Sequence, residues 1–370
     1  MAAVRERKRS SAAGTGTTRA GAARAGSKRG RQAAPDSSRN GKPTPGGQYR
    51  VRRFDADKRD REISLDAAIK SSPTRRQLLW VDVVGDIDPG DMEALSRRFK
   101  FDEPTERALE APAKRAELAV HGSYFHLSVA APAEDPWNGP PIWLHVIAGR
   151  NVVVTRHVAA LAPLDQIDAR IKSDASVGAV EAAEFVAMLL DGVLTSFFAA
   201  VDAIEEAIDE LDSRSLRADG RQEVLDDLVS LRRRIARLRR VLAGHRSVFP
   251  SLTGPDLRQL VKGQDAVDDL QAVAARYESA VGAVESSRAA LLGSFDVYMT
   301  RTAQRTNDIV KVLTIATVLL LPGSMIAGLL GMNVVVPLNK DDPLSFWLVV
   351  GGVAALAIAL IALARLRRWI

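Results

Sequence analysis

The stretch NDIVKVLTIATVLLLPGSMIAGLLGMN, residues 307–333, decides how the chain is read. No charged residue occurs from Val312 to Met332, and as a helix this run is long enough to cross a hydrocarbon core of roughly 30 Å. A second uncharged run, residues 344–364, follows a short polar loop, so a C-terminal transmembrane hairpin is expected. Projected at about 100° per residue, Val312, Ile315, Leu319, Ile326 and Leu330 share one side. Asn307, Thr314, Thr317, Ser324, Gly328 and Gly331 fall on the opposite arc, with Val310 and Leu321 among them. A stripe of amide, hydroxyl and glycine suits a water-filled path. It equally suits close packing of membrane helices, and Gly323, Ala327 and Gly331 have the small-xxx-small spacing. The stripe alone leaves both open.

The ending separates them. Gly331-Met332-Asn333 closes the first of the two apolar runs, directly before an extracytoplasmic-type loop. In that position, with Tyr298, Asn307, Lys311-Val312-Leu313-Thr314, Pro322 and Ile326-Ala327-Gly328 upstream, the chain closely resembles the CorA family of divalent-cation channels. The resemblance implies an α+β membrane protein with a cytoplasmic α/β domain, a long helical stalk and two C-terminal transmembrane helices. It implies a homopentamer that conducts Mg2+, with Co2+ as a further cargo, and no cofactor besides the transported ion. Gly331, Met332 and Asn333 are then the selectivity filter. Asn307, Val310, Leu313, Thr314, Thr317, Leu321, Ser324 and Gly328 line the pore, and Asn333 and Asn307 form amide rings that contact the hydrated ion. Mg2+ dehydrates reluctantly, and neutral amide oxygens accept hydrogen bonds from its water shell without holding it too tightly to leave. Leu313, Leu321 and Val310 are expected apolar constrictions, and Gly331 is expected to permit the tight helix end.

Two departures from the family bear on regulation and on the ion. Relatives often carry acids in the middle of the stalk, where this chain has Ala272-Val273-Ala274-Ala275-Arg276, with Asp268 and Asp269 a turn earlier. The loop VVVPLNKDDP lacks the acidic sequence of many Mg2+ members and looks closer to the zinc-transporting ZntB branch. A Zn2+ transporter therefore stands as the alternative within transport. A non-conducting, membrane-tethered coiled-coil protein stands as the alternative outside it.

Composition excludes much else. There is no cysteine, hence no disulfide, thiolate metal site or cysteine nucleophile. The 5 histidines include no pair at helical metal-ligand spacing, and His121 and His126 read as ordinary surface or core residues. No GKS/GKT loop, GxGxxG or GxSxG occurs, so no enzyme is expected. The net charge of +6 resides in the first 50 residues, which hold 12 Lys and Arg against 2 acids. That segment lacks large apolar residues and is expected to be a solvated basic tail with no specific nucleic-acid partner.

The organisation expected along the chain is a tail (1–50), an α/β domain (51–175), a helical hairpin (176–253), a stalk helix (254–311) and the transmembrane hairpin (312–370). Residues 78–83, 124–130, 142–147 and 151–156 read as strands, with helices starting at Asp91 and Pro163. Trp80 reads as a core anchor and Asp82 as a strand-end cap. Residues 181–212 and 222–246 read as an antiparallel pair, with Leu228, Leu231, Ile235, Leu238 and Leu242 as the apolar stripe of the second helix. Its acids, Glu205 through Asp227, crowd the turn, and charge runs of this kind are usually solvated faces. From Pro255 one uninterrupted helix is expected, about 115 Å long at 1.5 Å per residue. Arg301, Arg305 and Lys311 precede the first span, and Arg365, Arg367 and Arg368 follow the second as a basic ring. Both termini are thus expected in the cytoplasm of a cell (inner) membrane protein whose partners are its own copies, lipids and divalent cations.

Overall fold

Leu78, Trp80 and Asp82 project from one side of a strand and Leu79, Val81 and Val83 from the other, and all are fully buried. A strand covered on both faces belongs inside a sheet. The structure is a computed structural model that describes residues 47–58, 60–133, 139–171, 180–216, 221–332 and 343–367. In it this strand, β3 (Gln77–Val84), sits among β1 (Gln48–Asp55), β2 (Arg61–Glu62), β4 (Glu117–Val120), β5 (Phe125–Ala131), β6 (Ile142–Gly149) and β7 (Val152–His157). The order is β2-β1-β3-β7-β6-β5-β4, with β3 parallel to β7 and every other pairing antiparallel.

Helices α1 (Leu65–Lys70), α2 (Pro89–Phe99) and α3 (Glu103–Glu110) cover one face, packing Ala68, Met92, Leu95 and Leu109 on Leu79, Val81 and Val154. The opposite face carries α4 (Ala162–Ile171) and α5 (Ala182–Leu216), with Phe185 5.4 Å from the Trp80 ring. Helix α2 starts two residues before the expected Asp91. Asp88 caps it by accepting the Gly90 N–H at 2.9 Å, and Pro89 occupies the first turn, where its missing N–H costs nothing.

Beyond α5 come α6 (Arg221–Gly244), α7 (Val248–Ser251), α8 (Pro255–Leu260), α9 (Gln264–Leu330) and α10 (Pro343–Leu366). The apolar stripe expected on α6 is buried throughout. The uninterrupted helix from Pro255 is not found. Val261 is extended (φ −83°, ψ 120°) and buried, and the Gly263 N–H donates to the Glu181 carboxylate at 3.2 Å before α9 begins. Burying Val261 and satisfying Gly263 from α5 outweighs one more helical turn. The long helix therefore has 67 residues, about 100 Å at 1.5 Å per residue.

The buried residues of α9 are Ala266, Leu270, Val273, Tyr277, Ala280, Val284, Ser287, Leu291 and Ser294. Their spacing alternates four and three, the heptad signature of a left-handed supercoil, here with α5 and α6. Tyr277 ties the seam, stacking on Phe249 at 4.5 Å and donating its hydroxyl to the Leu242 carbonyl at 2.8 Å. Among the described residues, three helices are apolar and long enough to cross a membrane. In Ala182–Ser215, 56% of the apolar window is buried within the protein; in the other two, within α9 and α10, none is. Helix α5 is thus a core helix.

His245 pins α6 to the sheet: its Nε2 accepts the Ala130 N–H at 2.8 Å and its Nδ1–H donates to the Val241 carbonyl at 2.7 Å. That pairing requires the neutral ring, and burial pushes its pKa down to about 4. His126 and His145, neighbours on β5 and β6 with ring nitrogens 3.1 Å apart, are likewise pushed down to about 4 by burial. The unfolded chain binds protons at these rings below about pH 6.5, whereas the folded chain does not. The contribution of these three rings to stability is expected to be full above that value and to be lost as the pH drops toward 4. Melting of the full-length protein in detergent across this window tests it, and a flat profile refutes it.

Candidate functional site

Residues that face away from α10 define the candidate site. Along α9 the half-buried positions of the apolar segment are Ile315, Leu319, Pro322, Gly323, Ile326 and Leu330, the side packed on α10. Asn307, Val310, Thr314, Thr317, Leu321, Ser324 and Gly328 are all exposed on the other side. Their steps alternate three and four, so on a supercoiled helix they form a straight line. Leu313 is also exposed but steps off this line, toward its edge. The line continues downward through Ala303, Thr300, Asp296, Gly293, Ala289, Ser286, Gly282, Ser279, Ala275 and Ala272, every one exposed. Below Asn307, outside the apolar run, the line carries Thr300 and Asp296 among mainly alanine, glycine and serine.

The hydroxyls on the stripe have a defined polarity. Thr314 donates to the Val310 carbonyl at 2.8 Å, Thr317 to Leu313 at 2.9 Å and Ser324 to Leu321 at 2.9 Å. With each O–H used within the helix, the oxygen lone pairs are what the stripe presents outward. A hydrated cation presents only water hydrogens, so acceptors are what it needs.

At the helix end, the Gly331 N–H bonds to the Ala327 carbonyl at 3.0 Å with φ −78°, inside the ordinary helical region. Gly331 thus ends the helix within ordinary helical geometry. What it supplies is space, because a Cβ there would lie 3.3 Å from the Ala327 oxygen. Met332 is exposed. Asn333, the loop after it and Arg368 lie outside the described residues, while Arg365 and Arg367 are exposed at the end of α10. Asp268 and Asp269 are exposed, and among the described residues no three His, Cys, Asp or Glu side chains converge on a metal position.

A second constellation, not foreseen as such, lies in the sheet. Asp82 is not a strand-end cap but the hub of a buried ionic row across β1, β3 and β7. Arg50 reaches one carboxylate oxygen through Nη2 at 2.7 Å, and Thr155 donates to the other at 2.6 Å. His157 Nε2 stands 3.1 Å from that second oxygen, while its Nδ1 is 2.6 Å from the Ala159 carbonyl. Both ring nitrogens face acceptors, so His157 is a doubly protonated cation. Burial opposes ionisation of Asp82, and the bonds from His157, Thr155 and Arg50 overcome it, holding its carboxyl below the usual range. Burial likewise lowers His157, and Asp82 outweighs it, raising the ring above its ordinary value. Arg50 also pairs with Asp165 at 2.7 Å, and Arg52 with Asp168 at 2.8 Å, so the row fastens α4 to the sheet. Trp80 is the anchor expected, its indole N–H bonded to Thr155 Oγ1 at 2.9 Å. The row is closed by its own ion pairs, and its work is structural.

Comparison with known proteins places this architecture. Residues 75–368 match the family model of the CorA-like Mg2+ transporter protein. The cobalt/magnesium transport protein CorA of Thermotoga maritima is 29% identical over 145 residues, 39% of this chain and 40% of that protein. The divalent cation transporter CmaX of Pseudomonas aeruginosa is 31% identical over 175 residues, 46% of this chain and 50% of that one. The chain thus aligns with about half or less of the length of these curated relatives. The complete structure of the CorA magnesium transporter from Methanocaldococcus jannaschii superposes with a TM-score of 0.70 at 18% identity, over 86% of this chain and 98% of that one. The fold is shared from the sheet to the last helix, and the chain belongs to the CorA-like Mg2+ transporter family.

Proposed function

We propose that copies of this chain, five by resemblance to the family, assemble with the stripe of α9 facing a common axis. Together they conduct a hydrated divalent cation, Mg2+ foremost and Co2+ as a second cargo. The observation that carries the reading is the straight line of exposed acceptors and small residues opposite the α10 contact. A helix that only tethers a soluble domain gains nothing from placing amide and hydroxyl oxygens on the side its partner helix leaves open. Asn333 and Asn307 act as amide rings at the two ends of the membrane segment, and Gly331 lets neighbouring copies approach. Lys311, Arg365 and Arg367 lie at one end of both helices, which supports a cytoplasmic side for that end and for the sheet domain; Phe346 and Trp347 suit the opposite interface. An inside-negative potential of about 100 mV supplies roughly 4.6 kcal/mol per dication, so no further energy source is needed.

Uptake into proteoliposomes of Mg2+, Co2+, Zn2+ and Ni2+, measured in parallel under an imposed potential, tests the reading. Mg2+ and Co2+ flux above protein-free vesicles supports it. Flux of Zn2+ alone assigns the pore to the alternative cargo, in keeping with the VVVPLNKDDP loop. No divalent flux from a correctly assembled protein overturns it.

The apolar members of the stripe carry a separate expectation. Leu321, 59% exposed in the single chain, lies between Thr317 and Ser324 on the line and acts as a dry constriction. Leu321→Ser replaces an isobutyl ring by a hydroxyl ring that wets, and is expected to raise closed-state leak severalfold. Leak unchanged in assembled Leu321→Ser removes Leu321 from the gate.

A further inference from the structure

The two membrane helices meet closely at one level and part at another. A Cβ on Gly323 would lie 3.5 Å from Val353 Cγ1, the close approach a glycine allows between helices. From four to nine residues toward the start of the apolar segment, about 6–13 Å along the helix, α9 and α10 leave a crevice of about 250 Å³ between them. Its walls are Ile315, Val318 and Leu319 from α9 and Leu360, Leu363 and Ala364 from α10. One end is bordered by Arg367 and by Thr314, which stands at the edge of the exposed line and reaches both sides of α9.

Thr314 already donates to its own helix, so Arg367 is the polar group this crevice offers to an occupant. Arg365 is exposed two residues away, and Lys311 is exposed one turn beyond Thr314. No acid occurs on α9 after Asp308, which lies nearly two turns beyond the crevice, and none occurs on α10. The site therefore has two chemistries in a fixed order: an apolar slot at the depth of the acyl chains and a cationic end at the depth of the headgroups.

We propose that this crevice binds an anionic phospholipid, one acyl chain lying between the α9 and α10 walls and the phosphate pairing with Arg367. Lys311 and Arg365 add to the field that draws the headgroup in. The inference rests on the reading of α9 and α10 as membrane spans, and not on which ion is carried. An empty apolar slot inside a bilayer is filled by whatever is nearest, and lipid is the solvent there. The arginine and lysine at its end select lipids with net negative charge, since each basic residue near an anionic surface contributes about 1 kcal/mol.

The test uses the full-length protein, stripped of lipid in detergent and titrated with phosphatidylglycerol or phosphatidylcholine of identical acyl chains. Bound lipids are counted by native mass spectrometry and stabilisation is read by thermal melting. Phosphatidylglycerol is expected to bind saturably and to raise the melting temperature more than phosphatidylcholine. Arg367→Gln is expected to weaken phosphatidylglycerol about fivefold, the loss of one such cation, leaving phosphatidylcholine unchanged. Ala364→Trp, which fills the slot, is expected to lower the count of tightly held lipid with either headgroup. Equal binding of the two lipids by the unaltered protein overturns the proposal, as does an unchanged phosphatidylglycerol affinity in Arg367→Gln. Because the chain has no native cysteine, Val318→Cys combined with Leu360→Cys gives a clean cross-link. Cross-links between copies across the crevice would assign it to a neighbouring subunit instead. Divalent flux recorded from the same preparations separates the two readings: selective lipid binding without flux leaves this proposal standing and removes transport. Recovery of the protein without membrane or detergent removes the spanning assumption itself.

Discussion

Asn333→Ala is expected to abolish divalent-cation uptake while leaving the oligomer intact. The residue lies three positions beyond Leu330, the end of α9, after the exposed Gly331 and Met332, and the Gly331 N–H closes the last helical turn. In the proposed pore the Asn333 side chain supplies a ring of carbonyl acceptors to the water shell of an ion that gives up its waters reluctantly. A neutral hydrogen bond contributes about 1 kcal/mol net. A ring of such bonds amounts to several kcal/mol, or more than two orders of magnitude in occupancy of the filter. Asn333→Asp is the informative companion. It keeps the acceptors and adds charge, so it should bind divalent ions more tightly and pass them more slowly, since conduction requires that the ion also leave. Flux and oligomer size should be measured on the same samples. Normal flux through assembled Asn333→Ala removes the filter assignment.

What could be read without coordinates followed from periodicity. Leu228 through Leu242 repeat at helical spacing, and that face of α6 is buried. The polar stripe of α9 was legible for the same reason, and its partner face, Ile315 through Leu330, turns toward α10 as the apolar projection required. The misses share one cause: each depends on a partner distant in sequence. β1 alternates Arg50 and Arg52 with Val51, which resembles a solvated segment until Asp82, Asp165 and Asp168 are brought opposite the arginines. The interruption at Val261 is set by Glu181, 82 residues away from Gly263, whose carboxylate accepts the glycine N–H. The downward extension of the stripe is mostly alanine, glycine and serine, with Thr300 and Asp296 among them, residues that say little alone. It became visible only when the buried heptad face of the same helix fixed which side was left open.

The hub of the ionic row gives the second large effect. Asp82→Asn is expected to destabilise the sheet domain by about 3–5 kcal/mol, the cost of removing one partner from a buried charge cluster. Three donors converge on the carboxylate: Arg50, Thr155 and protonated His157. Asparagine offers one acceptor oxygen and turns an NH2 toward the remaining donors, leaving Arg50 or His157 buried against a group that cannot accept. Asp57→Asn is the control, because its pairing with Arg76 is exposed on both sides, and exposed pairs contribute about 0–1 kcal/mol. The pH profile distinguishes loss of the ion pair from simple mispacking. His157 is raised above its unfolded value of 6.5, so its contribution is complete below that pH and fades as the pH rises through the folded value. In Asp82→Asn the ring loses the charge that holds its proton, and this alkaline weakening should disappear together with the stability it reports. Melting temperatures of both variants and the unaltered protein, taken from neutral to alkaline pH, supply the comparison. A Asp82→Asn protein that melts within a degree or two of the unaltered one, or that keeps the alkaline weakening, would show that Asp82 does not hold the row together.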